Sequence, residues 1–292
     1  MKKLTVLMLL VSTILFGKVR VVTSITDFED IAKTIGGKRI TVTSIARGNQ
    51  DPHYVEVLPS YMMKVRRADV YLQVGMELDL WSRQIIDGSR NNKLQIVDCS
   101  QNINRLEVPT DKIDASMGDI HSKGNPHYWL DPINGIIIAE TITNALIEAD
   151  PDGREYFTSQ LLKFTNDVNQ LMKKWEVEFK NLVGKKVIFY HNSWPYFSER
   201  FGLEVVQFVE PKPGITPTPT HLDKLIRIIQ SDNVKVMAME PYFSNKAPDF
   251  LNLKTGVNVV KIAQSVGAIS GVDSYIQMFE FNLKALTEAL EK

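Results

Sequence analysis

The 292 residues carry 34 Lys and Arg against 34 Asp and Glu, a formal net charge of zero. The basic surplus that a nucleic-acid partner would need is therefore missing. A single cysteine, Cys99, excludes an internal disulfide, so stability must come from packing. The length suits two lobes better than one.

Met1 to Gly17 has the form of an export signal. Lys2 and Lys3 precede an apolar run from Leu4 to Phe16, and Gly17 offers a small residue for cleavage. The run is short for a bilayer span, no lipidation cysteine follows it, and no later stretch approaches about 20 uninterrupted apolar residues. The expected product is a soluble, monomeric, periplasmic or otherwise extracytoplasmic protein. Its charge is 32 − 34 = −2, since the signal removes two lysines and no acids.

Beyond the signal, strands and helices alternate. β-rich text at Val19 to Ser24 is followed by a helical stretch, Asp27 to Gly36, and a strand at Ile40 to Ala46. A helix at Glu56 to Ala68, a strand at Val70 to Gly75, a helix at Leu78 to Gly88 and a strand at Leu94 to Cys99 complete the first half. Such alternation predicts an α/β fold with parallel sheets covered on both faces.

After Pro132 the texture changes to two helical stretches, Asn134 to Glu148 and Arg154 to Leu182. The second, if unbroken, would span about 44 Å, long enough for a strut between lobes as well as for an ordinary surface helix. Alternation then resumes. Strands are expected at Lys186 to Tyr190, Glu204 to Phe208, Val234 to Met239 and Val257 to Ile262. Helices are expected at Trp194 to Phe201, His221 to Ser231, Asn245 to Thr255 and from Ser274 to the end. Thr220 is the candidate N-cap of the helix at His221. The division that follows is a signal at 1–17, a first lobe at 18–151, a linking helix at 152–183 and a second lobe at 184–292. The halves share a layout without a residue-level repeat.

In open α/β sheets, ligands bind beyond the carboxyl ends of the strands. His191 directly follows one expected strand and Glu240 another, while His53 lies in the loop after Ala46. His127 stands between Pro126 and Pro132, which limit the backbone and should hold it extended, with Asp131 as a possible acceptor for its non-ligating nitrogen. Three imidazoles and a carboxylate from two lobes would complete a tetrahedral shell for Zn²⁺, with Mn²⁺ the alternative for a site richer in oxygen. Phosphate-binding loops, CxxC pairs, HExxH helices and GxSxG elbows are absent.

At these residues the chain resembles the zinc- and manganese-specific solute-binding receptors of ABC transporters. The resemblance rests on Asp51-Pro52-His53-Tyr54-Val55-Glu56, on Asn125-Pro126-His127-Tyr128-Trp129-Leu130-Asp131-Pro132, on Tyr190-His191-Asn192-Ser193-Trp194-Pro195-Tyr196 and on Met239-Glu240-Pro241-Tyr242-Phe243-Ser244-Asn245-Lys246. It implies two (β/α) lobes joined by one long rigid helix, a metal in the cleft, ligation by His53, His127 and His191, and delivery to a membrane permease. Many relatives carry an aspartate ligand where this chain has Gln264, which leaves the fourth position to Glu240, to water or to another residue. His121 reads as a solvated loop residue and His221 as a surface one. Two other readings use the same residues: a secreted zinc hydrolase with Glu240 as general base, and an adhesin in which metal is only structural.

Overall fold

Residues 18–110, 118 and 121–292 are described by a computed structural model, and the expected signal lies outside them. Two parallel sheets organise the chain. The first holds β1 (Val19–Thr23), β2 (Ile40–Ser44), β3 (Val70–Gln73) and β4 (Gln95–Asp98) in the order β2-β1-β3-β4. The second holds β5 (Lys186–Phe189), β6 (Glu204–Phe208), β7 (Val236–Met239) and β8 (Asn258–Lys261) in the order β6-β5-β7-β8. The same strand order occurs twice, so the shared layout of the two halves is a shared topology.

Helix boundaries differ from the periodic text where backbone chemistry decides. α1 (Thr26–Gly36) lies close to expectation, but α2 (Pro59–Arg66) starts at its proline, whose missing N–H costs nothing in a first turn. α3 (Trp81–Ser89) begins late because Gly75, Met76 and Glu77 all have positive φ, at 77°, 50° and 69°. α4 (Pro132–Ala149) begins early: the Asp131 carboxylate accepts from the Ile133 N–H at 2.9 Å and Pro132 occupies the first position. In the second half, α6 (Pro195–Phe201) and α8 (Lys246–Thr255) follow their strands. α7 (Pro219–Ser231) is capped by Thr218, which accepts from the His221 N–H at 3.3 Å, and not by Thr220. α9 (Tyr275–Glu291) closes the chain, with Ser274 accepting from the Gln277 N–H.

α5 (Arg154–Glu178) is the long linking helix. Its 25 residues span about 38 Å, and a 3-10 turn at Lys180–Leu182 replaces the last predicted turn. Its buried stripe, Phe157, Phe164, Val168, Met172 and Trp175, faces inward. Phe164 meets Tyr275 with ring centroids 6.5 Å apart, and Trp175 meets Phe279 at 6.0 Å. α9 thus packs along the linker, and one apolar cluster runs from Phe28 in the first lobe to Phe197 and Phe279 in the second. A smaller cluster around Ile188, Leu225, Met237 and Leu251 fills the far side of the second sheet. No helix among the described residues is long and apolar enough to cross a membrane.

Polar contacts also tie the lobes. Arg200 of α6 donates to both oxygens of Asp131, at 2.8 and 2.7 Å, and the Trp129 indole N–H donates to the Gln264 carbonyl at 2.9 Å. Tyr275 donates its hydroxyl to the Trp129 carbonyl at 2.6 Å, an approach that Gly135 allows: a Cβ there would sit 2.5 Å from the tyrosine ring.

Candidate metal centre

The carboxyl ends of both sheets face one cleft, and three histidines meet in it. His53, His127 and His191 each offer a ring nitrogen within 4.8 Å of the other two, the one such group of His, Cys, Asp or Glu among the described residues. Ring centroids are 5.2 Å apart for His53 and His127, 5.3 Å for His53 and His191, and 5.7 Å for His127 and His191.

Each ring is aimed by a partner on Nδ1. The Asp51 Oδ1 atom takes the backbone N–H of His53 at 3.0 Å and lies 2.8 Å from its Nδ1. Asn125 repeats the arrangement, accepting from the His127 N–H at 3.1 Å and lying 2.9 Å from its Nδ1. Both are Asx turns across a proline, in which one side-chain oxygen fixes backbone and ring together. For His191 the partner is Glu210, at 2.7 Å from Nδ1, just beyond β6. With Nδ1 engaged in this way, Nε2 is left to ligate. The Nε2 atoms of His53 and His127 are buried without a hydrogen-bond partner, an arrangement that costs free energy unless something binds them.

Several expectations need correction. His127 is not extended: at φ −86° and ψ 38° it starts a 3-10 turn, Tyr128–Leu130, and its carbonyl accepts from the Leu130 N–H. Asp131 does not serve its imidazole, because the carboxylate is committed to the α4 cap and to Arg200. His121 is half-buried, not solvated, and its ring stacks on His53 with centroids 5.4 Å apart. His221 lies outside the cluster and hydrogen-bonds the Phe208 carbonyl through Nε2.

Glu240 is fully buried just past β7 but is not in the convergent group. Its Oε1 accepts from the Trp194 indole at 2.9 Å while Oε2 has no hydrogen-bond partner. Gln264 is also buried, its side-chain oxygen taken by the Tyr242 hydroxyl. Asn125 and Asp51 are orienting groups beyond the expected set, although the repeated spacing of Asp-Pro-His and Asn-Pro-His marks them, and Glu210 is a third, with no local signal in the sequence.

Charge is arranged for a cation. Burial pushes the His127 imidazolium well below the usual histidine range, helped by His53, His191 and His121, so the ring is neutral. Burial alone would do the same to His191, but the hydrogen bond and charge of Glu210 override it and the net shift is upward. Burial would likewise raise Asp51, yet its bond to His53 holds it below the usual carboxylate range. Glu240 is raised to about 7 by burial, against the pull of His191, Ser193 and Trp194. Imidazole donors whose far nitrogens are held by side-chain oxygens, a carboxylate for His53 and His191 and an amide for His127, are the arrangement that first-row dications use.

The chain is similar to known proteins in both sequence and fold. The manganese ABC transporter substrate-binding lipoprotein PsaA of Streptococcus pneumoniae is 26% identical over 316 aligned positions, covering 100% of both chains. The manganese-binding lipoprotein MntA of Halalkalibacterium halodurans is 24% identical, over 94% of this chain and 89% of its own. In structure, the chain superposes on crystalline ZnuA with a TM-score of 0.81 at 24% identity, covering 94% of this chain and 99% of that one. It superposes on a mutant of the laminin-binding adhesin Lmb of Streptococcus agalactiae with a TM-score of 0.80 at 23% identity, over 94% and 100%. The family model for ZnuA, the periplasmic component A of the zinc-uptake complex, matches residues 21–289, and the chain belongs to that family.

Proposed function

We propose that this protein is the extracytoplasmic binding component of a metal-uptake ABC transporter, and that it captures Zn²⁺ in preference to Mn²⁺ with His53, His127 and His191 before handing it to the membrane permease. The observation that carries the reading is the convergence of three ring nitrogens within 4.8 Å, two of them buried without partners. Three nitrogens with no carboxylate in the same group favour zinc over manganese, which prefers harder oxygen ligands. The relatives named for manganese share the family, so the metal is argued from the donor set of this chain.

Glu240 serves as an outer group: Trp194 holds one oxygen, and its charge acts on His191. Family membership supports capture over hydrolysis, in which Glu240 would act as base. The lobes at 18–151 and 184–292, bridged by 152–183, are then the two jaws of the site, and a monomer suffices because one chain supplies all three rings.

Titration of metal-free protein with Zn²⁺ and with Mn²⁺, alongside His127→Ala, tests the proposal. One zinc ion per chain should bind, more tightly than manganese, and the variant should lose most of the affinity. Equal binding by the variant would remove the site, and tighter manganese binding would overturn the metal assignment.

A further inference from the structure

Glu107 sits in the loop after β4, exposed and at φ 53°, a backbone conformation that costs a non-glycine residue of order 1 kcal/mol. Its carboxylate holds two amides at once. Oε2 accepts from the Asn125 Nδ2 at 3.0 Å and from the Asn192 Nδ2 at 2.8 Å. Asn125 orients His127, and Asn192 directly follows His191. Asn125 completes the triangle by donating to the Asn192 carbonyl at 2.8 Å. Just beside it, the Leu106 N–H donates to the Tyr196 hydroxyl at 3.1 Å, and that hydroxyl donates to the Asn125 carbonyl at 3.0 Å. A strained loop residue thus bridges the ligand-bearing segments of opposite lobes.

We infer that Glu107 is a positioning residue for the metal centre: it fixes the His127 segment of the first lobe against the His191 segment of the second, and so sets the separation of the ligands across the cleft. The inference rests on the site proposed above. It assigns Glu107 no contact with the ion. A carboxylate oxygen accepting two amide N–H groups forms charge-assisted bonds, stronger than the neutral equivalents. Asn125 is saturated only with this bridge in place, since its oxygen serves His127 and its nitrogen serves Glu107 and the Asn192 carbonyl. Losing Glu107 frees one of the two donors of Asn125 and one of Asn192, and the amide that aims His127 can then turn. Asn125 stands one shell out from the ion, where removing a group commonly changes affinity by about 10- to 100-fold; Glu107 acts through it, so the lower end applies.

The test compares wild type, Glu107→Ala and Glu107→Gln, with His127→Ala as the site control. Because Glu107 is exposed, the alanine variant should fold and melt like wild type without metal. Hydrogen exchange of the metal-free protein should quicken in Glu107→Ala in both segments, residues 124–131 and 189–196. Its zinc affinity should fall about 10-fold, and the visible spectrum of the Co²⁺-loaded protein should change in intensity, since it reports ligand geometry. Glu107→Gln, which keeps an acceptor oxygen, should recover most of the affinity and the spectrum. Unchanged exchange, or quickening in one segment only, overturns the bridge. Quickened exchange with unchanged affinity and spectrum overturns its role in positioning the ligands, and failure of the glutamine variant to recover does the same. If wild type binds no zinc, or His127→Ala binds as well as wild type, the site itself falls. Intact wild-type binding with an indifferent Glu107→Ala removes only the bridge.

Discussion

Glu210→Gln should weaken zinc binding in a way that depends on pH. In the wild type, Glu210 lies 2.7 Å from Nδ1 of His191, and both side chains are almost closed off from water. The glutamine keeps an acceptor oxygen of nearly the same shape, so geometry is largely preserved while the charge goes. A group one shell out from a metal is worth about 10- to 100-fold in affinity, and with the oxygen retained the lower end applies, about 10-fold or about 1.4 kcal/mol near pH 8. The same charge also raises the affinity of His191 for protons, which compete with the ion. With the His191 pKa raised, its imidazolium competes from higher pH downward. In the variant the charge of Glu210 is gone and burial pulls the pKa downward against Glu240 and Asp51 alone, so proton competition sets in later. The wild-type advantage should therefore shrink on acidification, by about 3-fold or more between roughly pH 8 and 5.5. Competition against a chromophoric zinc chelator across that range measures the ratio. A ratio independent of pH would show that Glu210 does not act through its charge on His191, and no loss at any pH would show that it does not act on the site at all.

Three further substitutions probe the frame around the centre. Burial raises Asp27 to about 7 against its bonds from Ser265 and the Val266 N–H, so its contribution to stability is present below the ordinary aspartate pKa and is lost as pH rises through about 7. Asp27→Asn should abolish that loss, gaining at most about 4 kcal/mol over wild type between acid and pH 8 in urea unfolding; parallel pH curves would contradict it. Tyr275→Phe leaves the ring packing but removes the hydroxyl that donates to the Trp129 and Asp131 carbonyls at 2.6 and 3.2 Å. It should cost about 1–2 kcal/mol in the same assay. Arg90, exposed at φ 54° where α3 ends, should be improved on by glycine, with Arg90→Gly gaining about 0.5–1 kcal/mol.

The alternation of strand and helix was legible because both sheets are parallel and their buried strands read as apolar runs. The positions of His53 and His191 were legible for a related reason: His191 lies just past the carboxyl end of β5 and His53 in the loop that leaves the carboxyl end of β2, where a ligand is expected in such sheets. What sets the ring orientations was only half visible. The Asx turns of Asp51 and Asn125 are local, two residues from their histidines, and the repeated spacing is enough to suggest them. Glu210 is another matter, since it lies 19 residues from His191 and meets it only through sheet register. At the start of the pairing Lys186 lies opposite Glu204 and Val187 opposite Val205, an offset of 18 that would set Val209 level with His191. Between Val187 and Ile188 the register slips by one, so that Ile188 faces Gln207 and Phe189 faces Phe208. The offset becomes 19, and it is Glu210 that arrives beside His191. A one-residue bulge therefore decides whether the third imidazole is backed by a carboxylate or by an apolar valine. Nothing in the composition of Glu204 to Phe208 announces a bulge: the strand has no glycine or proline to mark one, and a one-residue slip is seen only once the two strands are paired.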